Sequence, residues 1–269
     1  MPEGPEVKKN SSSLAHHISG RDITEAAVIS GRYTRNELVG LDDFCTNLPT
    51  KAIGVGCHGK FMFAIFNNDY NLWCTFGMTG RWSEAPTVHA RFKMGFSDGT
   101  QVFFNDIRNF GTLKLVSGKN QLITKLNSLG LDLLSDNVGP KAFLDKIRSK
   151  NKHNICKVVM NQSILAGVGN YIKAESLWLA EIDPQKNVGD LEDFELLNLK
   201  ECIEGVMKSS FHYGGATFLT HKDFSGQDGG YSERFVCYNR KIDADGNAVE
   251  KLKTPDGRTT YWAPKRQRG

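Results

Sequence analysis

The opening Met1-Pro2-Glu3-Gly4-Pro5-Glu6-Val7 offers a group that no internal residue can supply. Removal of Met1 exposes a secondary amine at Pro2. An α-amino group titrates roughly two to three units below a lysine, so near neutral pH a useful fraction is unprotonated and able to attack an electrophilic carbon such as an aldehyde or a sugar C1′. The product is a cationic iminium, an electron sink for elimination from the attached carbon skeleton. Glu3 and Glu6 stand within one helical turn as candidate proton carriers. Read without that chemistry, the same residues open a helix with proline and acid in its first turn.

Other residues with chemical potential sit on loops. In Gly56-Cys57-His58-Gly59-Lys60-Phe61 a lysine follows a glycine turn at the mouth of an apolar strand; taken alone, Lys60 is an ordinary strand-edge charge. Phe76-Gly77-Met78-Thr79-Gly80 sets a flexible apolar side chain between glycines, and Asn105-Asp106-Ile107-Arg108-Asn109-Phe110-Gly111 sets a cation two residues from an aromatic. Met78 and Phe110 would pack in most proteins, whereas an enzyme that extrudes a nucleotide uses such wedges to fill the vacated space. The glycines of Ala166-Gly167-Val168-Gly169-Asn170-Tyr171 allow close backbone approach, and Asn170 suits the cap of a helix whose free N–H groups face an anion. Lys157, on the preceding helix, is a second candidate anion ligand.

These residues need a scaffold, and the pattern predicts an α+β fold. A helix is expected over residues 5–19, with Val7, Leu14 and His17 or Ile18 inward and Gly20 as its stop. Short strands follow at Glu25–Ser30, Ala52–Gly56, Lys60–Asn67, Asn71–Gly77, Ala90–Phe96, Gln101–Asn105 and Thr112–Val116, with a hairpin turn at Ser97-Asp98-Gly99-Thr100. The run Phe61-Met62-Phe63-Ala64-Ile65-Phe66 is apolar on both faces, which predicts a strand buried between two layers of a β-sandwich. The expected division is a sandwich domain over 1–134, a linker over 135–140, and a C-terminal domain over 141–269. The latter is helical at 141–150, 154–161, 170–180 and 190–213, closed by Gly214-Gly215. Beyond a Gly-rich, aromatic run from Tyr213 to Tyr231, Phe235–Arg240, Val249–Thr254 and the stretch after Pro255-Asp256-Gly257 read as strands around a tight turn.

The heptad resembles the N-terminus of the Fpg/Nei family of DNA glycosylase/AP lyases, where MPEGPEV or MPELPEV carries the nucleophile. Further matches extend over nearly the whole chain: His58-Gly59-Lys60, the Met78 loop, Asn105–Gly111, Gly167–Asn170 with the helix after it, and the 214–231 segment. The resemblance implies Pro2 as nucleophile at C1′, Glu3 and Glu6 as acid/base groups, and Lys60 as a catalytic phosphate contact. It implies Met78, Arg108 and Phe110 as the void-filling trio, though Ile107 and Asn109 replace the family's proline and second arginine. Asn170, on a helix-two-turn-helix, and Lys157 are then phosphate ligands, with Glu175 as a possible support or a purely structural group. Arg258, one residue past the Pro-Asp-Gly turn, matches the family's finger arginine. Most members hold that hairpin with four zinc cysteines. Here the first pair is absent and Ala263 and Arg266 stand at the second, so the chain resembles the zincless-finger Nei-like subgroup and no metal or other cofactor is expected. The implied partner is damaged double-stranded DNA, with an abasic site or oxidised base, lying across the interdomain cleft. The 214–231 segment resembles the loop that covers 8-oxoguanine in the Fpg branch, whereas the zincless finger points to oxidised pyrimidines and hydantoins. A damage-binding or DNA-bending protein without chemistry is the alternative, and a proline-based tautomerase fits the length and loops poorly.

Composition agrees without deciding. The 34 Lys+Arg against 30 Asp+Glu give a net charge of +4, which permits nucleic-acid binding without requiring it. The basic tail Lys265-Arg266-Gln267-Arg268 reads as a phosphate tether. Six cysteines lie scattered with no C-x-x-C pair, as expected of buried thiols in a reducing compartment. With no leader-like or membrane-spanning apolar run, the expectation is a soluble intracellular monomer.

Overall fold

The computed structural model describes residues 2–216 and 223–268. Met1, and with it the question of its removal, and the Thr217-Phe218 part of the glycine-rich segment lie outside the described residues. The chain forms two compact units, one of residues 1–2, 6–127 and 214–230, the other of residues 3–5, 128–213 and 231–269.

The first unit begins with helix α1 (Gly4–Ile18), whose Val7, Leu14 and Ile18 are at most 1% exposed. Their spacing marks one helical face; His17 is only half-buried. Eight strands follow: β1 (Asp22–Val28), β2 (Thr50–His58), β3 (Phe61–Phe66), β4 (Tyr70–Thr75), β5 (Arg81–Ser83), β6 (Ala90–Phe96), β7 (Gln101–Asn105) and β8 (Thr112–Ser117). They pair antiparallel in the order β5-β7-β6-β1-β2-β3-β4-β8. Only Asp22↔Lys51 and Ile23↔Thr50 join β1 to β2, so the sheet divides there into two layers. Side chains of both, among them Ile23, Met62, Phe66, Phe92, Met94 and Leu115, form one core, which is the expected sandwich. On β3, Met62, Ala64 and Phe66 enter this core, while Phe63 and Ile65 are half-buried. The run is therefore not buried equally on both faces: its outer side carries an aromatic cluster, with Phe61 5.7 Å from Trp73 and 6.0 Å from Phe63 between ring centroids. Helices α2 (Leu41–Thr46) and α3 (Lys119–Asn127), and the three-residue β5, lie outside the expected elements; α2 and β5 are too short to impose a periodic pattern, and α3 buries Leu122 but no second residue that would mark a face.

The second unit is built on α4 (Pro140–Arg148), α5 (Ile155–Val159), α6 (Asn170–Leu179) and α7 (Asp193–His212). Residues Tyr171 to Trp178 of α6 are all buried, so this helix shows no amphipathic period. A hairpin of β9 (Glu250–Lys253) and β10 (Thr259–Trp262) follows, in register from Thr259↔Lys253 to Trp262↔Glu250, and α8 (Pro264–Gln267) ends the described chain.

Four expectations need correction. Residues 128–134 group with the helical unit, because the Gly130 and Leu131 amides donate to Gln162 and Ile164. Residues 214–230 group with the sandwich, where Phe224 joins its core. Phe235–Arg240 is not a strand, since the amides of Val236, Cys237 and Tyr238 donate to the Glu175 carboxylate instead of a neighbouring strand. The basic tail is an intramolecular clasp. The Arg266 guanidinium lies 4.0 Å over the Trp178 ring, donates to the Trp178 carbonyl and pairs with Glu181 and Asp245, while Gln267 is buried and donates to the Ile182 carbonyl. Of the cysteines, Cys74, Cys156 and Cys237 are buried and Cys45, Cys57 and Cys202 half-buried, all as free thiols. Among the described residues no helix is long and apolar enough to cross a membrane.

Candidate active site

Pro2 is buried and leads into α1. Glu3, next to it, is 3% exposed, and its carboxylate accepts from the backbone N–H groups of Tyr171 (3.0 Å) and Ile172 (3.3 Å). These are first-turn amides of α6, the donors that helix N-termini offer to anions. A glycine is required at the cap: a Cβ on Gly169 would stand 2.1 Å from the Glu3 carboxyl carbon. The expected capping role of Asn170 is therefore not found. Gly169 is the N-cap residue, a carboxylate from 168 positions away does the capping, and Asn170 donates through Nδ2 to the Thr259 carbonyl of the hairpin at 2.9 Å.

Glu6, also buried, accepts from the Ala216 amide at 2.7 Å. It thereby fixes the start of the glycine-rich segment. The far side is held by Arg81 donating to the Asp223 carbonyl at 2.7 Å and by Phe224 packed on His17, centroids 4.5 Å apart.

Lys60 occupies the two-residue loop between β2 and β3, closed by the pair His58↔Phe61. Gly59 has φ 56°, which fits the hairpin turn that places glycine first and an ordinary L-residue second. In the same unit, the Thr79 hydroxyl donates to the Asp106 carboxylate and accepts from the Arg108 amide (2.9 Å), while the other Asp106 oxygen accepts from the Gly111 amide at 2.7 Å. This buried lash ties the two loops together. It presents Arg108 and Phe110 outward, with the guanidinium 4.8 Å from the ring centroid and Phe110 53% exposed; Met78 is half-buried. Thr79 and Asp106 were not singled out from sequence, although their polar types between glycines and apolar residues were the available signal.

Arg258 is exposed at the β9–β10 turn. Lys157 is exposed on the short α5. Glu175 is 1% exposed, and burial raises its carboxyl above the usual range despite its three N–H donors; the geometry makes it an internal cap for residues 236–238. Tyr238, which sequence reasoning missed, lies among these groups. Burial pushes its hydroxyl up, the Asn170 side chain opposes this, Glu3 and Tyr261 add to it, and Arg258 opposes it. No spacing signal marked it, because it sits in an irregular loop.

Among the described residues no group of three or more His, Cys, Asp or Glu side chains could hold a metal ion. Ala263 and Arg266, at the positions that the resemblance sets against zinc cysteines, carry a methyl group and a cation, neither of which ligates zinc. In chemical terms, Pro2 is followed in the chain by an anchored carboxylate, cations stand at hairpin and helix ends, and a cation–aromatic pair projects from a braced loop.

Residues 1–113 match the family model for the formamidopyrimidine-DNA glycosylase N-terminal domain, and residues 129–222 that for the formamidopyrimidine-DNA glycosylase H2TH domain. A formamidopyrimidine-DNA glycosylase of Rickettsia conorii is 30% identical over 274 residues, covering 97% of each chain. One from Prochlorococcus marinus is 34% identical over 192 residues, covering 69% of this chain and 65% of that protein. An FPG variant of Lactococcus lactis, crystallised with Fapy-dG-containing DNA, superposes with a TM-score of 0.88 at 25% identity over 100% of both chains.

Proposed function

This chain belongs to the formamidopyrimidine-DNA glycosylase (Fpg/Nei) family, and we propose that it is a base-excision-repair DNA glycosylase with AP lyase activity on oxidised bases in duplex DNA. The observation that carries the reading is the Pro2-Glu3 pair, with Glu3 buried and held by the first amides of α6. A protein that only binds DNA has no use for a secondary amine beside a fixed carboxylate.

In the proposed reaction the Pro2 nitrogen, freed of Met1, attacks C1′. The new N–C1′ bond forms as the glycosidic bond breaks, and the base leaves with the bonding pair and a proton. Loss of the amine proton lets the nitrogen lone pair open the sugar ring: the C1′–O4′ bond breaks, O4′ takes up a proton and C1′ becomes an iminium. The iminium then accepts electrons as a C2′ proton is removed and the 3′ phosphate departs; a second elimination releases the 5′ phosphate. Glu3 passes protons at O4′ and the leaving base, and Glu6 assists while also anchoring Ala216. Lys60, Asn170 and Arg258, with Lys157 farther out, bind phosphates around the everted nucleotide. Met78, Arg108 and Phe110 fill the space it leaves.

Oxidised pyrimidines and hydantoins are the favoured lesions on the resemblance of the hairpin, which lacks the zinc cysteines, to Nei-like enzymes. The 214–231 segment supports 8-oxoguanine and formamidopyrimidines as a second class. A soluble intracellular monomer is the implied setting. The test is base release and strand nicking by the Met1-processed protein on duplexes with one lesion each, analysed for β- and δ-elimination ends. Base release without nicking would remove the lyase, and tight binding with neither product would leave a damage-binding protein.

A further inference from the structure

We infer that Lys173 and Asp256 are positioning residues, a buried ion pair that locks the β9–β10 turn to α6 and so fixes where Arg258 can reach. The inference rests on the glycosylase reading for its consequence in DNA binding, but the lock itself is a property of the free protein.

A buried lysine is costly unless paired. The Lys173 side chain is fully buried and the Asp256 side chain is 4% exposed, with Nζ 2.6 Å from Oδ2. The other Asp256 oxygen accepts from the Thr254 hydroxyl, which also lies 3.2 Å from the Arg258 carbonyl and 2.8 Å from the Thr260 hydroxyl. The turn closes by Gly257 N–H to Thr254 C=O (2.9 Å) and Thr254 N–H to Arg258 C=O (3.0 Å). One turn earlier on the same helical face, Asn170 donates to the Thr259 carbonyl at 2.9 Å. Two α6 side chains thus grip the hairpin at residues 256 and 259, on either side of Arg258, whose own side chain stays exposed.

Stability alone does not explain this choice. Apolar residues of similar volume often replace a buried ion pair at no cost, whereas removing one partner strands a charge. What the pair supplies is direction: one carboxylate oxygen is held by Nζ and the other by a hydroxyl that also engages the backbone of Arg258. A guanidinium that bridges phosphates gains from such fixity, because ordering a loose hairpin on binding subtracts from affinity.

The experiment compares wild type, Lys173→Met, Asp256→Asn and the apolar double variant Lys173→Met/Asp256→Leu, which avoids a stranded charge should the single changes unfold. Amide hydrogen exchange of Thr254 and Gly257, whose N–H groups close the turn, is measured without DNA, alongside the melting temperature. The expected result is exchange at least tenfold faster at the turn, with α7 amides unchanged. Turn exchange equal to wild type in a folded variant overturns the lock whatever the DNA results are. In a second arm, affinity for an abasic-analogue duplex is measured in each variant with and without Arg258→Ala. The expected result is a roughly tenfold loss that disappears in the Arg258→Ala background, since the pair acts through that residue. A loss equally large in both backgrounds overturns the positioning role. An apolar double variant with wild-type exchange and affinity overturns it as well. Wild-type protein that ignores the duplex counts against the glycosylase reading, while the exchange arm still decides the lock.

Discussion

The loops that carry Met78, Arg108 and Phe110 and the surroundings of α6 solve the same problem, holding an irregular segment still, by different means. At these sandwich loops, unlike the Glu6–Ala216 bond elsewhere in the same unit, the braces are close to what they brace: a two-residue turn sets Lys60, and the Thr79–Asp106 lash binds two loops that both flank strand ends. In the helical unit the braces come from far along the chain. Glu3 caps a helix 168 positions away, Glu175 holds the amides of residues 236–238, and Lys173 reaches Asp256. The first kind of site tolerates loss of one bond as local loosening. The second depends on single carboxylates that each satisfy several buried donors, so one substitution is felt in two distant segments.

The largest expected effect breaks this comparison at its chemical end. Glu3→Gln should lower base excision by about 10²–10⁴-fold, the usual worth of a general acid/base group. The amide oxygen can still accept from one α6 N–H group, but the new NH2 faces the other, so stability should also fall by about 1–3 kcal/mol; a fall in stability with unchanged specific activity of the folded fraction would make Glu3 a cap only. Next is Glu175→Ala, which leaves three backbone N–H groups without their acceptor and should cost about 3 kcal/mol or more, read as a fall in the denaturation midpoint and faster exchange at residues 236–238. Thr79→Val keeps the shape but removes the hydroxyl between Asp106 and Arg108, with an expected cost of about 1–3 kcal/mol and faster exchange confined to residues 106–111. Equal damage from Thr79→Val and Glu175→Ala would erase the distinction between local and distant braces.

The smallest effect is in pH. Burial, first among its causes, raises the Tyr238 hydroxyl above its ordinary value. The native state therefore keeps a proton that the unfolded chain has lost, and the contribution is fully present below the unfolded value of about 10. It is lost as pH rises through the higher folded value. Ultraviolet titration should show one tyrosinate forming later than in Tyr238→Phe, and the variant should lack that part of the alkaline fall in stability.

The sequence made the sandwich unit largely readable because its signals are local. Alternation marked most strands, and glycines marked the turn of Lys60 and the loop of Met78, although the roles expected of Lys60, Met78, Arg108 and Phe110 rested on the family resemblance. Short elements such as β5 and α2 lacked the length to show a period. In the helical unit, helix positions were legible from periodicity and punctuation, yet the bonds that assemble the site were not. Asn170 looked like a cap because its type suits one, but Glu3 occupies that role. Phe235–Arg240 looked like a strand because its residues favour extended backbone, but Glu175 had already claimed its donors. Arg266 looked like a tether because cations at a terminus are usually solvated, and only packing on Trp178 reveals otherwise. Spacing reports neighbours within an element; it carries no record of a partner tens of residues away.

The account's central claim is that residue 2 becomes the covalent nucleophile. Borohydride trapping on an oligonucleotide duplex with one abasic site tests it most directly, comparing Met1-processed protein with a form that retains Met1. The account predicts a reduced protein–DNA adduct that peptide mapping assigns to Pro2 and that is absent when Met1 remains. Tight binding to the same duplex without an adduct, or an adduct mapping to a lysine side chain, would contradict it.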